Sequence, residues 1–284
     1  MGIGRFWKSL AGVASLALTA CLALPTPQER MLAIDRQAQA LEWQAWDIPS
    51  QPFGLRAYLP RQVTPAPVLT VYVEGDGLAW LSPSTPSSDP TPIHPLGLAL
   101  ALAQPEGNAA YLGRPCQYGQ AESVPCGMPF WTNRRFAPEV IEATNQGVEA
   151  LKRRFQAQHL ILVGYSGGGA VAALVASRRR DVVGLVTVAG NLDPQAWVQW
   201  HGLEALSGSL SPVEEVTALA SVPQWHFVGA KDENISPALV EGFAARFPAG
   251  QRPHVVTVPG FDHQCCWAER WPELWHRLQP QMYP

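Results

Sequence analysis

His159-Leu160-Ile161-Leu162-Val163-Gly164-Tyr165-Ser166-Gly167-Gly168 is the stretch on which the reading of the chain turns. A short apolar run gives way to a Gly-x-Ser-x-Gly pentapeptide, and a small, apolar run from Gly169 to Ala176 follows. Buried strand, sharp turn and small-residue helix, in that order, form the pattern of a nucleophile elbow with Ser166 at its apex. The glycines have a steric reason. Such a turn holds its central residue in a strained backbone conformation, and side chains at Gly164 and Gly168 would collide with the neighbouring strand and helix.

Outward from the elbow, the chain alternates strand and helix. Leu41 to Ile48 and Gly54 to Leu59 read as a hairpin, and Val68 to Val73 as a continuous apolar strand buried on both faces. Ala109 to Leu112, Val182 to Ala189, Trp225 to Val228 and His254 to Val258 supply further strands. The clearest helix opens at Pro138, with Val140, Ile141, Thr144, Val148, Leu151 and Phe155 on one face and Lys152 to Arg154 at the negative end of its dipole. Arg178 to Arg180 complement the end of the helix after Ser166 in the same way. Trp267, Trp271 and Trp275 make a helical stripe suited to core packing, with Pro272 expected to delay the regular helix. Repeated strand-then-helix order implies an α/β fold, a mostly parallel sheet with helices on both faces.

A serine hydroxyl needs a base to take its proton, and the base needs an acid to fix its tautomer. Of the seven histidines, His263 lies in a loop directly after the last strand, where a parallel sheet delivers side chains to the crevice at its carboxyl edge. Asp232, after the strand Trp225 to Val228, is the leading acid. Asp193 and Asp262 are its rivals, Asp262 being read as a turn residue pointing away. Two donors must also hold the oxyanion of an acyl-transfer intermediate. Gly167 offers one backbone N–H, and the turn Glu74-Gly75-Asp76-Gly77 after the Val68 to Val73 strand offers the other, from Asp76 or Gly77.

The order Ser166, Asp232, His263, the elbow and the glycine-rich turn together resemble the α/β-hydrolase superfamily from about Leu41 onward. The resemblance implies an eight-stranded, mostly parallel sheet and acyl transfer to water through an acyl-serine, with no cofactor. Many esterases of that superfamily carry histidine where this chain has Glu74, a carboxylate that would disfavour anionic substrates. The expected reaction is hydrolysis of a small-molecule carboxylic ester. A thioesterase, peptidase or acyltransferase would use the same triad, and a non-catalytic envelope scaffold would use only the fold.

The chain has 284 residues, 47% hydrophobic and 15% charged, enough for one large core. Residues 1–20 read as a secretory leader, with Arg5 and Lys8 before a short apolar stretch. Leu18-Thr19-Ala20-Cys21 resembles the bacterial lipoprotein box, so Cys21 is the expected lipidation site, followed by a tether over 21–40 and a single domain over 41–284. Leu22, in place of an aspartate, makes the outer membrane facing the periplasm the expected address. The formal charge of −3, about −5 without the leader, gives no support to nucleic-acid binding. Export makes disulfides available. Cys116 with Cys126 is the most local pairing of the four remaining cysteines, whereas adjacent Cys265 and Cys266 would be strained partners. No Cys-x-x-Cys or His-Glu-x-x-His spacing points to a metal. The sequence is silent on oligomeric state.

Overall fold

The computed structural model describes residues 24–120 and 123–282; the leader and Cys21 lie outside the described residues. The central sheet has eight strands: β1 (Trp43–Ile48), β2 (Leu55–Pro60), β3 (Val68–Val73), β6 (Asn108–Leu112), β7 (His159–Tyr165), β8 (Val182–Val188), β9 (Gln224–Gly229) and β10 (His254–Val258). A separate hairpin, β4 (Trp80–Ser82) with β5 (Thr85–Pro86), rises between β3 and β6. The spatial order is β1-β2-β6-β3-β7-β8-β9-β10. β2 alone runs against the rest, because it pairs antiparallel with both β1 and β6 while the other pairings are parallel. This is the expected mostly parallel, eight-stranded α/β architecture.

The helices are α1 (Pro27–Ala40), α2 (Leu96–Leu102), α3 (Pro138–Arg154), α4 (Gly167–Ala176), α5 (Pro194–His201), α6 (Val216–Leu219), α7 (Pro237–Ala244) and α8 (Trp267–Met282). They cover both faces, so β7 buries alternate residues in opposite directions. Leu160 and Leu162 join α3, α4 and α7 on one side, while Ile161 and Val163 join α1, α2 and α8 on the other. The face read for α3 is the buried one: Val140, Ile141, Thr144, Val148 and Leu151 all pack inward. Trp267, Trp271 and Trp275 are fully buried, as a packing stripe should be. Truncating one such aromatic commonly costs about 3–5 kcal/mol.

Two expectations need correction. The stretch 21–40 is not simply a tether, because α1 occupies most of it. Thr26 and Glu29 form a reciprocal capping box, and Arg30, Ile34 and Ala38, spaced by four, turn one face into the core. Nor does Pro272 delay α8, which is regular from Trp267. Indole bonds hold the first turns of that helix, ahead of the proline, Trp267 Nε1 donating to the Asp262 carbonyl at 3.0 Å and Trp271 Nε1 to the Tyr72 hydroxyl at 2.8 Å.

Cys116 and Cys126 are bonded, with their Cα atoms 5.5 Å apart, bracing the irregular excursion between β6 and α3. Cys265 and Cys266 are also bonded to each other, contrary to expectation. With the first pair closed, each has only its neighbour as a partner among the described cysteines. No helix among the described residues is long and apolar enough to cross a membrane.

Candidate active site

Ser166 sits between β7 and α4 with φ 51° and ψ −123°, a conformation costly for any residue with a Cβ. The surrounding glycines make the turn feasible. A Cβ on Gly164 would strike the Gly168 backbone, and one on Gly168 would strike the Val73 and Glu74 carbonyls. The turn is tied to the sheet where the Ser166 N–H donates to the Val188 carbonyl at 3.0 Å.

Loops from the same carboxyl edge bring His263 and Asp232 to Ser166. His263 Nε2 lies 3.0 Å from Ser166 Oγ, and His263 Nδ1 lies 2.9 Å from Asp232 Oδ2. The other Asp232 oxygen accepts the backbone N–H groups of Asn234 and Ile235 at 2.9 and 2.8 Å, which fixes the carboxylate and leaves one oxygen for the ring. Its side chain is fully buried, whereas that of His263 keeps 20% exposure toward the cleft. Asp193 and Asp262 do not join them. Asp193 caps α5 through the Ala196 N–H, and Asp262 folds back on the N–H groups of Gln264 and Cys265.

Asn234 is a member of the site that the sequence did not announce. Its Nδ2 lies 3.2 Å from His263 Nε2, while its Oδ1 accepts the Trp197 indole N–H at 3.1 Å. That indole bond fixes which end of the amide faces the histidine. Nε2 therefore accepts from both Asn234 and Ser166, and Nδ1 carries the proton donated to Asp232. This is the tautomer a general base requires. Asn234's backbone is held in turn by His201, whose Nε2 donates to its carbonyl at 2.7 Å.

The turn 74–77 lies directly on the elbow. A Cβ on Gly75 would come within 3.3 Å of Ser166 Cβ, and one on Gly167 would strike the Asp76 carboxylate. That carboxylate is gripped by two buried arginines, Arg114 Nη1 at 3.2 Å and Arg135 Nη1 at 2.6 Å. Arg114 also donates to the Arg135 carbonyl, and Gln117 Nε2 donates to the Gly75 carbonyl at 3.1 Å. Burial alone would raise the Asp76 carboxyl, but the charges of Arg135 and Arg114 outweigh it and hold it below its ordinary value. Gly77 has a φ of +64°, and a Cβ there would strike the Pro90 carbonyl. Of the two donor candidates in this turn, Asp76 is the one whose side chain comes against Gly167. The Gly167 N–H, in the first turn of α4, is free of the helix ladder.

Glu74 stands at the base of the cleft, but its role is largely structural. Oε1 accepts the N–H groups of Gly75 and Gly97 at 2.9 and 3.2 Å, capping α2. Burial raises its pKa, the hydrogen bonds from Gly75 and Gly97 only partly opposing this. The remaining histidines stand elsewhere or play other parts: His226 is buried in β9, His254 stacks on Trp225, and His94 lines the cleft wall.

Above Ser166 opens a cavity of about 1050 Å³. Its walls come from three excursions, 78–95, 113–135 and 191–221, and include Trp80, Met128, Trp197 and Leu203. Among the described residues no group of histidine, cysteine, aspartate and glutamate is arranged to hold a metal ion.

Solved structures with the same architecture are numerous. Est1E from Butyrivibrio proteoclasticus is 16% identical, with a TM-score of 0.57, 84% of this chain and 98% of that one being covered. XC6422 from Xanthomonas campestris, a serine hydrolase without a lid, is 17% identical at a TM-score of 0.56, covering 86% and 96%. An esterase from Pyrococcus furiosus is 13% identical at 0.58, covering 92% and 93%. No protein-family model matches the sequence, and no curated protein matches it. The likeness is one of backbone rather than sequence, and on that ground the chain has the α/β-hydrolase fold.

Proposed function

We propose that the protein is a serine hydrolase cleaving a carboxylic ester through an acyl-serine. The observation that carries this reading is the unbroken hydrogen-bonded line from Ser166 through His263 to Asp232 at the floor of an open cleft. Ser166 Oγ attacks the carbonyl carbon as His263 Nε2 takes its proton, and Asp232 stabilises the imidazolium that results. The N–H groups of Gly167 and Asp76 receive the oxyanion. Collapse expels the alcohol, which takes the proton from His263, and water repeats the sequence on the acyl-serine to release the acid and restore the enzyme. No cofactor enters these steps. In this reading the chain works in the cell envelope, held at a membrane by lipid on Cys21.

A fluorophosphonate probe tests the nucleophile: wild type is expected to label and Ser166→Ala to stay blank. Equal labelling of both would remove Ser166 from the role. Turnover on matched ester, thioester and amide panels then checks the reaction class, with the ester expected to lead.

A further inference from the structure

The mouth of the cleft and the start of α1 lie at the same edge of the sheet. In the β1–β2 pairing Ile48 faces Leu55, and in the β2–β6 pairing Ala57 faces Leu112, so β1 ends at the edge where β3 and β6 end. Trp43 therefore marks the opposite edge, and α1 finishes just before it. The helix must start at the carboxyl edge. Arg30, in its first turn, agrees: the guanidinium donates to the carbonyls of Asp89 and Thr91 and pairs with the Asp89 carboxylate. The next residues along that loop, Pro92 and Ile93, line the cleft. The chain that precedes Thr26 thus leaves the fold beside the cleft, and the five residues from there back to Cys21 span at most about 18 Å.

The rim of the cleft has an unusual composition. Trp80 is 40% exposed, Leu81 51%, Met128 50% and Leu203 48%, and they come from three separate excursions. Single exposed apolar residues need no explanation, but several gathered around one opening mark a contact surface. Across 77–88, 123–133 and 202–213 a single charged residue occurs, Glu204, in a chain that is 15% charged. A protein-binding rim is normally polar and well supplied with hydrogen-bonding side chains. Tryptophan, leucine and methionine among serine and proline, with almost no charge, suit the boundary between headgroups and acyl chains.

We infer that this rim rests on a lipid surface and that the ester cleaved at Ser166 belongs to an acyl-chain amphiphile drawn from it. The inference rests on the serine-hydrolase reading for its chemistry and on the membrane anchor at Cys21 for its attachment. Thr26 and the start of α1 lie beside the opening, so lipid on Cys21 would hold the rim against the membrane, and the substrate would pass from the lipid into the cleft without crossing water.

The test uses the full, lipid-anchored chain on phosphatidylcholine vesicles. An environment-sensitive thiol-reactive fluorophore is attached through Leu81→Cys at the rim or through Arg154→Cys at the end of α3, by the opposite edge. The rim label is expected to shift to the blue and to be quenched by brominated acyl chains severalfold more than the α3 label. In parallel, Leu81→Ser is combined with Trp200→Ser; Trp200, near the end of α5 in the 191–221 excursion, is 59% exposed, and neither residue lines the cleft. That variant should hydrolyse a water-soluble short-chain ester within about twofold of wild type while losing about tenfold or more on a long-chain ester embedded in vesicles. Equal quenching of the two labels would overturn the inference, as would equal loss on both substrates. Burial of the rim label in vesicle-free solution, with a doubled mass in the ultracentrifuge, would assign the rim to a second copy and overturn it too. If wild type hydrolyses neither ester while the rim label still enters lipid, the docking surface stands and the substrate assignment falls together with the hydrolase reading.

Discussion

Two loops at the carboxyl edge each carry an aspartate against the elbow, and they are built for opposite ends. The loop 230–235 gives Asp232 one fixed oxygen, held by two backbone N–H groups, and one oxygen offered to His263, an imidazole, the kind of group that can take up and give up a proton. The turn 74–77 gives Asp76 two partners, Arg114 and Arg135, whose charge never changes. One carboxylate is set to respond; the other is a rivet. The same side chain against the same turn is thus suited to different ends, and the difference lies in the partner, an imidazole in one case and a pair of permanently charged guanidinium groups in the other.

The largest expected effect falls on the responsive loop. Asp232→Asn should keep the fold but present the wrong hydrogen-bonding end to Nδ1, lowering kcat on a short-chain ester by about 10³ to 10⁴. A stopped assay with unchanged circular dichroism checks it, and a loss below tenfold would make Asp232 no more than a loop cap. Asp76→Asn acts through position. With two buried guanidinium groups left short of a counter-charge, unfolding free energy should fall by about 3–5 kcal/mol. The displaced N–H should lower kcat by about a hundredfold with little change in KM. Denaturant titration alongside steady-state kinetics separates the two. If stability fell and kcat did not, the turn would be a brace with no part in holding the oxyanion.

Acid supplies the smallest and sharpest contrast. The folded-state pKa of Asp76 is depressed, so its contribution to stability is complete above the ordinary carboxylate value and is lost as pH falls through the folded one. The stability gap between wild type and Asp76→Asn should be flat from about pH 8 to 5 and close below about pH 4. His226 contributes equally to both proteins and cancels. Its ring is lowered by burial to about 3, so it costs stability progressively as pH drops below its unfolded value, about 6.5. Denaturant midpoints at several pH values measure the gap, and a gap that widened in acid would contradict the pairing.

What could be read from the sequence follows the range of the interactions involved. The elbow, the strand beneath it and the loop holding His263 are each local patterns within a few residues, and each was legible. The partners of Asp76 were not. Arg114 and Arg135 lie 38 and 59 residues away in a long, mostly irregular excursion, and nothing in either stretch encodes their convergence. Asn234 was hidden for another reason, since its value depends on Trp197, which enters from α5 and sets the amide. The helix α1 was legible in principle. Thr26 and Glu29 have the spacing of a capping box, and Arg30, Ile34 and Ala38 share a face, but the polarity of the stretch masked so narrow a stripe. The hairpin of β4 and β5 lies within a serine- and proline-rich run, where periodicity gives no signal.

The directions of the first and last helices have a practical corollary. α1 starts at the edge bearing Ser166, whereas α8 starts there and runs down to the far side, where His276 meets Glu106 just ahead of β6. The two ends of the fold thus point to opposite poles. A bead, electrode or fusion partner joined beyond α8 would leave the opening facing solution, while the same cargo joined before α1 would stand at the door.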